Sequence, residues 1–345
     1  MMTGMENVLI VAGGPGHEAP VSLASSRFVF DNAPVKPWLI LLNSEMKFLL
    51  TNDFHASVTV QGCLGQIRDG FDFKPIHLLP EELEDKGLIH NSVVFPIIHG
   101  TFGEDGALQD FFRTLGFAVA GCEAAASRIC WDKLLCKLVL REAGLDVVPF
   151  EVITRATIPD KLPFGNQPHF IKPCREGSSF GVIRVTASED LVKACEEALQ
   201  FDSRILIEPE FSGRELECAV LQRRGEILVS EPGEILKVGE HYSFAQKYSE
   251  ESVTRTSLAG LSQDLDAKIR RMAREAFEVV GGSGFLRVDF FLGNQGKLVI
   301  NELNNLPGMT EISMFPQLFK AQGMGSQELI QTILEECSTH VAKAC

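Results

Sequence analysis

The 345-residue chain predicts an α/β fold that passes into α+β units, and three observations carry that expectation. Short apolar runs alternate with helix-length segments from Asn7 to Gly121, the pattern of a mostly parallel sheet. Beyond that point strands are joined through glycine-containing turns, as in "HFIKPCREGSSFGVIRV" and "FLRVDFFLGNQGKLVI", the pattern of hairpins. With 45% hydrophobic residues the chain can bury several cores, and its length predicts two or three domains.

Taken in order, "NVLIVA" reads as a buried strand that runs into the glycine-rich turn "GGPGHEAPVS" and a helix from about Val21. Strands follow at "KPWLILL" and "SVVFPIIHG", then a helix over "EDGALQDFFRTLG" and a strand at "FAVAG". A helix over "WDKLLCKLVLREAG" stops at Gly144. Strands at "PHFIKP" and "GVIRV" flank "CREGSSF", and Ser188 is read as the N-cap of a helix over "SEDLVKACEEALQ". "RILIEPEF" closes this second unit. "ELECAVLQRRGEILVS" gives two strands around an Arg-Gly turn, and the polar stretch from Glu234 to Ser262 reads as one long loop of the kind that carries function. Leu265, Ile269, Met272, Ala276 and Val280 mark a helix face, and "QELIQTILEEC" a terminal helix.

The net charge of −14 argues against a general nucleic-acid or membrane-surface binder, which needs a positive field. Nine cysteines with no CxxC pair fit inert thiols in a reducing compartment. "MMTGMENVLIVAGG" has neither a basic n-region nor a long apolar core, so the expectation is a soluble cytoplasmic protein.

The chemistry concentrates in a few places. In "FLRVDFFLGNQGKLVINELNN" Arg287 and Asp289 share one strand face, as do Glu302 and Asn304, while Leu286, Val288 and Phe290 take the other. Asp289, Glu302 and Asn304 offer hard oxygen donors suited to Mg²⁺ rather than zinc; a solvated hairpin edge with an Arg287 ion pair accounts for the same residues. "CREGSSFG" can fold backbone N–H groups and hydroxyls over phosphate oxygens or be a plain hairpin turn, and no GxxxxGK[ST] loop occurs. Lys172 lies in an apolar strand, where an unpaired ammonium is costly, and Lys133 opens a helix. Glu208 and Glu215 are carboxylates near strand ends. Tyr242 and Tyr248 flank Lys247 in the long polar loop, which reads as a lid or as anchors within that loop. Glu18 is a first-turn helix acid or a carboxylate facing a ligand's ammonium.

In order along the chain, "GGPGHEAPVSL", "HGTFGEDGALQ", "WDKLLCKLVLREAGLDVVPF", "IKPCREGSSFG", "GRELECAVL", "AQKY", "LRVDFF" and "NELNNLPGMTEISMFP" resemble the D-alanine:D-alanine ligases. The resemblance implies a three-domain ATP-grasp fold with an N-terminal Rossmann-like parallel sheet: 1–122 contacting the first D-alanine, 123–212 carrying the phosphate loop, and 213–345 carrying the metal site and lid. It implies that Lys133, Lys172 and the Ser178/Ser179 loop hold ATP phosphates, with Lys247 near the transferred phosphate. Glu208 and Glu215 would contact adenine and ribose. Asp289, Glu302 and Asn304 would bind two Mg²⁺ ions, with Mn²⁺ as a substitute. Glu18 would contact the first D-alanine, His99 would be a further substrate contact, and Ser313 and Lys247 would lie near the second D-alanine's carboxylate and the transferred phosphate. Glu18, Ser178 and Tyr248 would form a hydrogen-bonded trio, and Arg287 with the Gly308 N–H would stabilise the tetrahedral oxyanion. A homodimer making D-alanyl-D-alanine for peptidoglycan precursors follows from the same resemblance. Two departures stand out: His17 and Pro20 flank Glu18 and Ala19, and Cys174, Arg175 and Glu176 precede the loop where small residues are usual. D-Serine or D-lactate as second substrate, and a silent ATP-binding regulator, are the alternatives.

Overall fold

The computed structural model describes residues 5–236 and 255–344. Three sheets organise the chain. The first is built on Asn7–Gly13 (β1), buried from Val8 onward because both of its faces are covered. A left-handed turn follows at Gly13, where a Cβ would collide with the Leu42 carbonyl. Helix Ala19–Asn32 (α1) begins two residues earlier than the pattern suggests, since Pro20 suits a first helical turn.

Trp38–Leu42 (β2) runs parallel to β1, and Lys47–Thr51 (β3) returns antiparallel. After the short helix Phe54–Ser57 (α2), Val58–Gln61 (β4) and Leu64–Ile67 (β5) pair as a hairpin of their own. Period-two alternation over four residues is too short to announce this hairpin. Lys74–Pro75 (β6), helix Leu79–Asp85 (α3), Ser92–Pro96 (β7), helix Ala107–Thr114 (α4) and Ala118–Val119 (β8) complete the unit. Strand order is β6-β3-β2-β1-β7-β8, with β1, β2, β7 and β8 parallel. Leu9 and Val11 pack on one side with α3 and α4, and Val8 and Ile10 on the other with α1 and the terminal helix, as a Rossmann-like sheet requires.

A helix absent from the sequence reading, Ala124–Trp131 (α5), precedes Lys133–Glu142 (α6). Asp132 ends one helix and caps the other, its carboxylate accepting the Leu135 N–H at 3.1 Å. The second sheet is antiparallel, in order β11-β10-β12-β9, from Glu151–Ile153 (β9), His169–Pro173 (β10), Ile183–Val185 (β11) and Ile205–Pro209 (β12). Its cover is Leu191–Ala198 (α7). Ser188 is not the cap of α7. It opens a 3-10 turn, Ser188–Asp190, and its hydroxyl accepts the Leu162 N–H instead.

The third sheet runs β16-β15-β13-β17-β18, with β14 paired to β13. Its strands are Gly213–Arg223 (β13), Glu226–Val229 (β14), Gly233–Leu236 (β15), Arg255–Leu258 (β16), Phe285–Gly293 (β17) and Leu298–Asn304 (β18). The stretch expected to be one loop from Glu234 to Ser262 is therefore bounded by two paired strands, whose pairing over long separation leaves no local signature. Gln263–Val279 (α8) covers one face. Met314–Ala321 (α9) and Ser326–Ala344 (α10) cover the other. Phe285 stacks with Phe95 of the first sheet at 5.9 Å, so the first and third sheets share one core. Ile300 of β18 bonds to Asp146 and Val148, which fixes the chain after α6 to the third sheet.

Candidate active site

In the β17–β18 pair Asp289 faces Glu302, but Phe290 faces Ile300, so Asn301 is an extra residue. This bulge resets the alternation. It lets Ile300 bury beneath the sheet while Glu302, two residues on, joins the polar face with Asp289. β17 is flanked by β13 and β18, so Arg287 and Asp289 sit on an interior strand rather than a solvated edge. Arg287 holds Asp289 through two 2.7 Å bonds and lies 3.1 Å from Glu217 of β13. Burial disfavours the guanidinium charge, but Asp289 and Glu217 outweigh it and push its pKa above the ordinary value. Glu217, Asp289 and Glu302 are cross-strand neighbours in one row.

The second cluster belongs to the middle sheet. Lys172 on β10 and Glu208 on β12 pair at 2.7 Å, and Lys137 of α6 approaches the other carboxylate oxygen at 3.0 Å. Burial raises the Glu208 pKa, yet the two lysines more than reverse this and hold it below its ordinary value. Lys172 is lowered by burial but raised further by Glu208, with Glu302 and Glu215 also adding to the field upon it. The carboxylates of the third sheet thus lie near the lysine of the second. Glu215 shares a strand face with Glu217 and is half-buried. Pro209, on the opposite face from Glu208, lines a separate cleft of about 460 Å³ with Phe164, Phe211 and Lys297.

The loop after β10 joins this cluster to the first sheet. Ser178 and Ser179 have φ of 47° and 66°, left-handed conformations that side chains rarely adopt. Ser178 donates to Glu18, which caps α1 only by its backbone and leaves its carboxylate to the loop. Lys133 donates to the Glu176 carbonyl. A Cβ on Gly177 would stand 2.8 Å from the Glu18 Oε2 atom, so a side chain there would have to displace that carboxylate. The departures from the family pattern have uses here: His17 stacks on Phe180 at 4.5 Å, and Arg175 forks onto Asp202 at 3.0 and 2.7 Å.

His99, just past β7, lies 3.5 Å from the Ser25 hydroxyl, which also accepts the Met309 N–H at 3.3 Å. Burial lowers the His99 pKa more than Glu18 raises it, which disfavours the charged ring. Gly308 leaves space beside Ser313, whose hydroxyl accepts the Thr310 N–H at 3.0 Å. Glu104 is enclosed; burial, then Glu18, pushes its pKa well above the carboxylate range, and it accepts the Gly100 N–H at 3.0 Å.

Glu18, His99, Lys133, Lys172, Ser178, Arg287 and Gly308 thus come from all three sheets to one region. Tyr248 and Lys247 lie outside the described residues. The sequence reading missed Lys137, Glu104, Ser25 and Glu217. For Glu217 the signal was present, because Glu215-x-Glu217 on a strand puts two carboxylates on one face. Among the described residues no three His, Cys, Asp or Glu side chains are gathered as a formed metal site. Asp289, Glu302 and Asn304 nevertheless fit magnesium by donor chemistry: two carboxylates and an amide on one face, the set this ion takes when substrate phosphates complete its shell.

A first sheet with parallel strands, an antiparallel second sheet with a glycine- and serine-rich loop, and a third sheet facing that loop with carboxylates define the ATP-grasp class. Comparison with known proteins narrows it. The family model of the D-ala D-ala ligase N-terminus matches residues 7–122, and that of the C-terminus residues 139–335. D-alanine–D-alanine ligase A of Escherichia coli (strain K12) is 34% identical over 346 residues, covering 94% of each chain. The Corynebacterium aurimucosum ligase is 38% identical over 348, covering 95% of this chain and 96% of its own. Among solved structures, the D-alanine-D-alanine ligase from Coxiella burnetii superposes with TM-score 0.80 at 26% identity, covering 99% of this chain and 96% of that one. VanG D-Ala:D-Ser ligase from Enterococcus faecalis does so with TM-score 0.75 at 26%, covering 96% and 99%. The chain belongs to the D-alanine–D-alanine ligase family.

Proposed function

We propose that the chain joins two D-alanines at the expense of ATP, through a D-alanyl phosphate, to supply peptidoglycan precursors. The observation that supports this best is the Ser178–Glu18 bond. It brings the phosphate loop against the carboxylate suited to the first substrate's ammonium, with His99 within the field of both Glu18 and Arg287. Lys133, Lys172 and the Ser178/Ser179 backbone hold the phosphates. Glu208 and Glu215 take adenine and ribose. Asp289, Glu302 and Asn304 would hold Mg²⁺, which supplies charge neutralisation during phosphoryl transfer. The second amine attacks the acyl carbon, a C–N bond forms, and the C–O bond to phosphate breaks. Arg287 and the Gly308 N–H stabilise the oxyanion of that step, and Ser313 with Lys247 orients the second carboxylate. Tyr248 completes the trio with Glu18 and Ser178.

On this reading residues 1–122 carry the first-substrate contacts, 123–212 the phosphate loop, and 213–345 the metal donors and lid, in a cytoplasmic homodimer. No described helix is long and apolar enough to cross a membrane. The likeness to VanG makes D-serine the second candidate acceptor. The curated relatives of higher identity are named for D-alanine, which favours D-alanine.

The test is phosphate release from ATP and Mg²⁺ with D-alanine, in competition with D-serine and D-lactate, with product masses measured. D-Alanyl-D-alanine is expected as the main product. ATP binding without any dipeptide or depsipeptide would sink the reading and leave a nucleotide-binding regulator.

A further inference from the structure

Arg287 grips both oxygens of Asp289, the same oxygens a cation would need. A divalent ion on Asp289 brings positive charge next to the guanidinium, and like charges a few ångströms apart in a buried site repel strongly. If Asp289 were its only anchor, Arg287 would leave when the ion arrives. Glu217 supplies a second anchor. It projects from β13, the strand on the far side of β17 from Glu302 and Asn304. Its carboxylate is buried and 3.1 Å from the Arg287 Nε atom.

The approach is diagonal. The residue directly opposite Arg287 on β13 is Ala219, and Glu217 lies two positions along, opposite Asp289. A large residue at 219 would fill the space across which the guanidinium leans, whereas alanine leaves it open. Diagonal pairs on one sheet face are within reach of a side chain as long as arginine.

We infer that Glu217 is a positioning residue that holds Arg287 toward the reacting centre when Asp289 is drawn to a cation. The inference rests on the ligase reading of this site. Glu217 acts through Arg287 rather than on substrate or metal, which gives it a distinctive kinetic signature.

The test uses the full-length enzyme with Glu217→Gln, Glu217→Asp, Arg287→Lys and the Glu217→Gln/Arg287→Lys pair. In Glu217→Gln, kcat is expected to fall about 10–100-fold, the usual cost of losing a group that orients a site residue. KM for ATP and D-alanine should stay within about 3-fold. In the Arg287→Lys background the same change should cost less than about 3-fold, because coupled residues are non-additive. Mn²⁺ binding, followed by electron paramagnetic resonance without turnover, should weaken by less than about 5-fold, since Glu217 is not a donor to the ion. Multiplying losses in the double variant, an unchanged kcat, or a Mn²⁺ affinity lowered beyond about 10-fold would each overturn the inference. Should Glu217→Gln fail to fold, Glu217→Asp, which keeps the charge but shortens the reach, carries the same comparison. Wild-type enzyme making no dipeptide would instead defeat the ligase reading itself.

Discussion

Lys172 and Glu208 meet diagonally across neighbouring strands at 2.7 Å, Lys172 lying opposite Leu206 and Glu208 opposite Phe170, and Lys137 completes the arrangement from a helix at 3.0 Å. Lys137 and Glu208 are almost fully enclosed, and Lys172 is partly buried. One carboxylate therefore offsets two ammonium groups, and Lys172 is shared between Glu208 and any phosphate that comes to it.

That asymmetry ranks two substitutions. Glu208→Gln removes the one carboxylate that pairs directly with both lysines and leaves Lys137 deeply buried beside it, and breaking a buried pair costs about 3–5 kcal/mol. Lys137→Met leaves Glu208 still paired with Lys172 and replaces an ammonium whose charge burial already disfavours. Urea unfolding at pH 7 should show the first change as the more destabilising. Equal losses would contradict this ranking and place the stabilisation in the Lys137–Glu208 pair alone.

Glu104 makes stability depend on pH in the alkaline sense. Its pKa is raised by burial, so its contribution is complete below the ordinary carboxylate value of about 4.3 and is lost as pH rises through the raised value. Glu104→Gln fixes the neutral form. The variant should match wild type near pH 4 and gain on it as pH rises, by up to about 1.4 kcal/mol per pH unit within the window. A difference between the two that stays flat from pH 4 to 8.5 contradicts this account.

A methyl group at Gly177 would stand 2.8 Å from the Glu18 Oε2 atom, so the Glu18 carboxylate must shift to admit it. Gly177→Ala should displace the Glu18 carboxylate and break the Ser178 bond. Misplacement of about 1 Å in a site costs up to about 100-fold in rate, so kcat/KM should fall at least about 10-fold. Melting temperature should move little, since the loop is no part of a core. A large melting shift with intact kinetics would show that the contact is structural instead.

The part of the site visible in the sequence was visible because polar residues interrupt apolar strands at period two. Arg287, Asp289, Glu302 and Lys172 are all of this kind. Lys137 is not, since a lysine on an amphipathic helix reads as surface until β12 is placed beside it. Glu217 was overshadowed by Glu215 on the same strand face. α5 escaped because "AAASRICW" abuts α6 with only Asp132 between them, and β15 and β16 escaped because their pairing spans a long insertion. The bulge at Asn301 is a register property, which no local pattern discloses.

Arg287 gives Asp289 a bidentate bond through Nε and Nη2, and the same Nε lies 3.1 Å from Glu217. Arg287→Lys preserves the charge but supplies neither the fork nor the reach. Losing a preorganised oxyanion stabiliser costs about 100- to 1,000-fold in kcat. The ligase reading therefore expects a loss of that order in Arg287→Lys, with ATP KM little changed because Lys133 and Lys172 are intact. Steady-state phosphate release with D-alanine measures both constants. A rise in the ATP KM at unchanged kcat would place Arg287 on the nucleotide, not on the acyl centre.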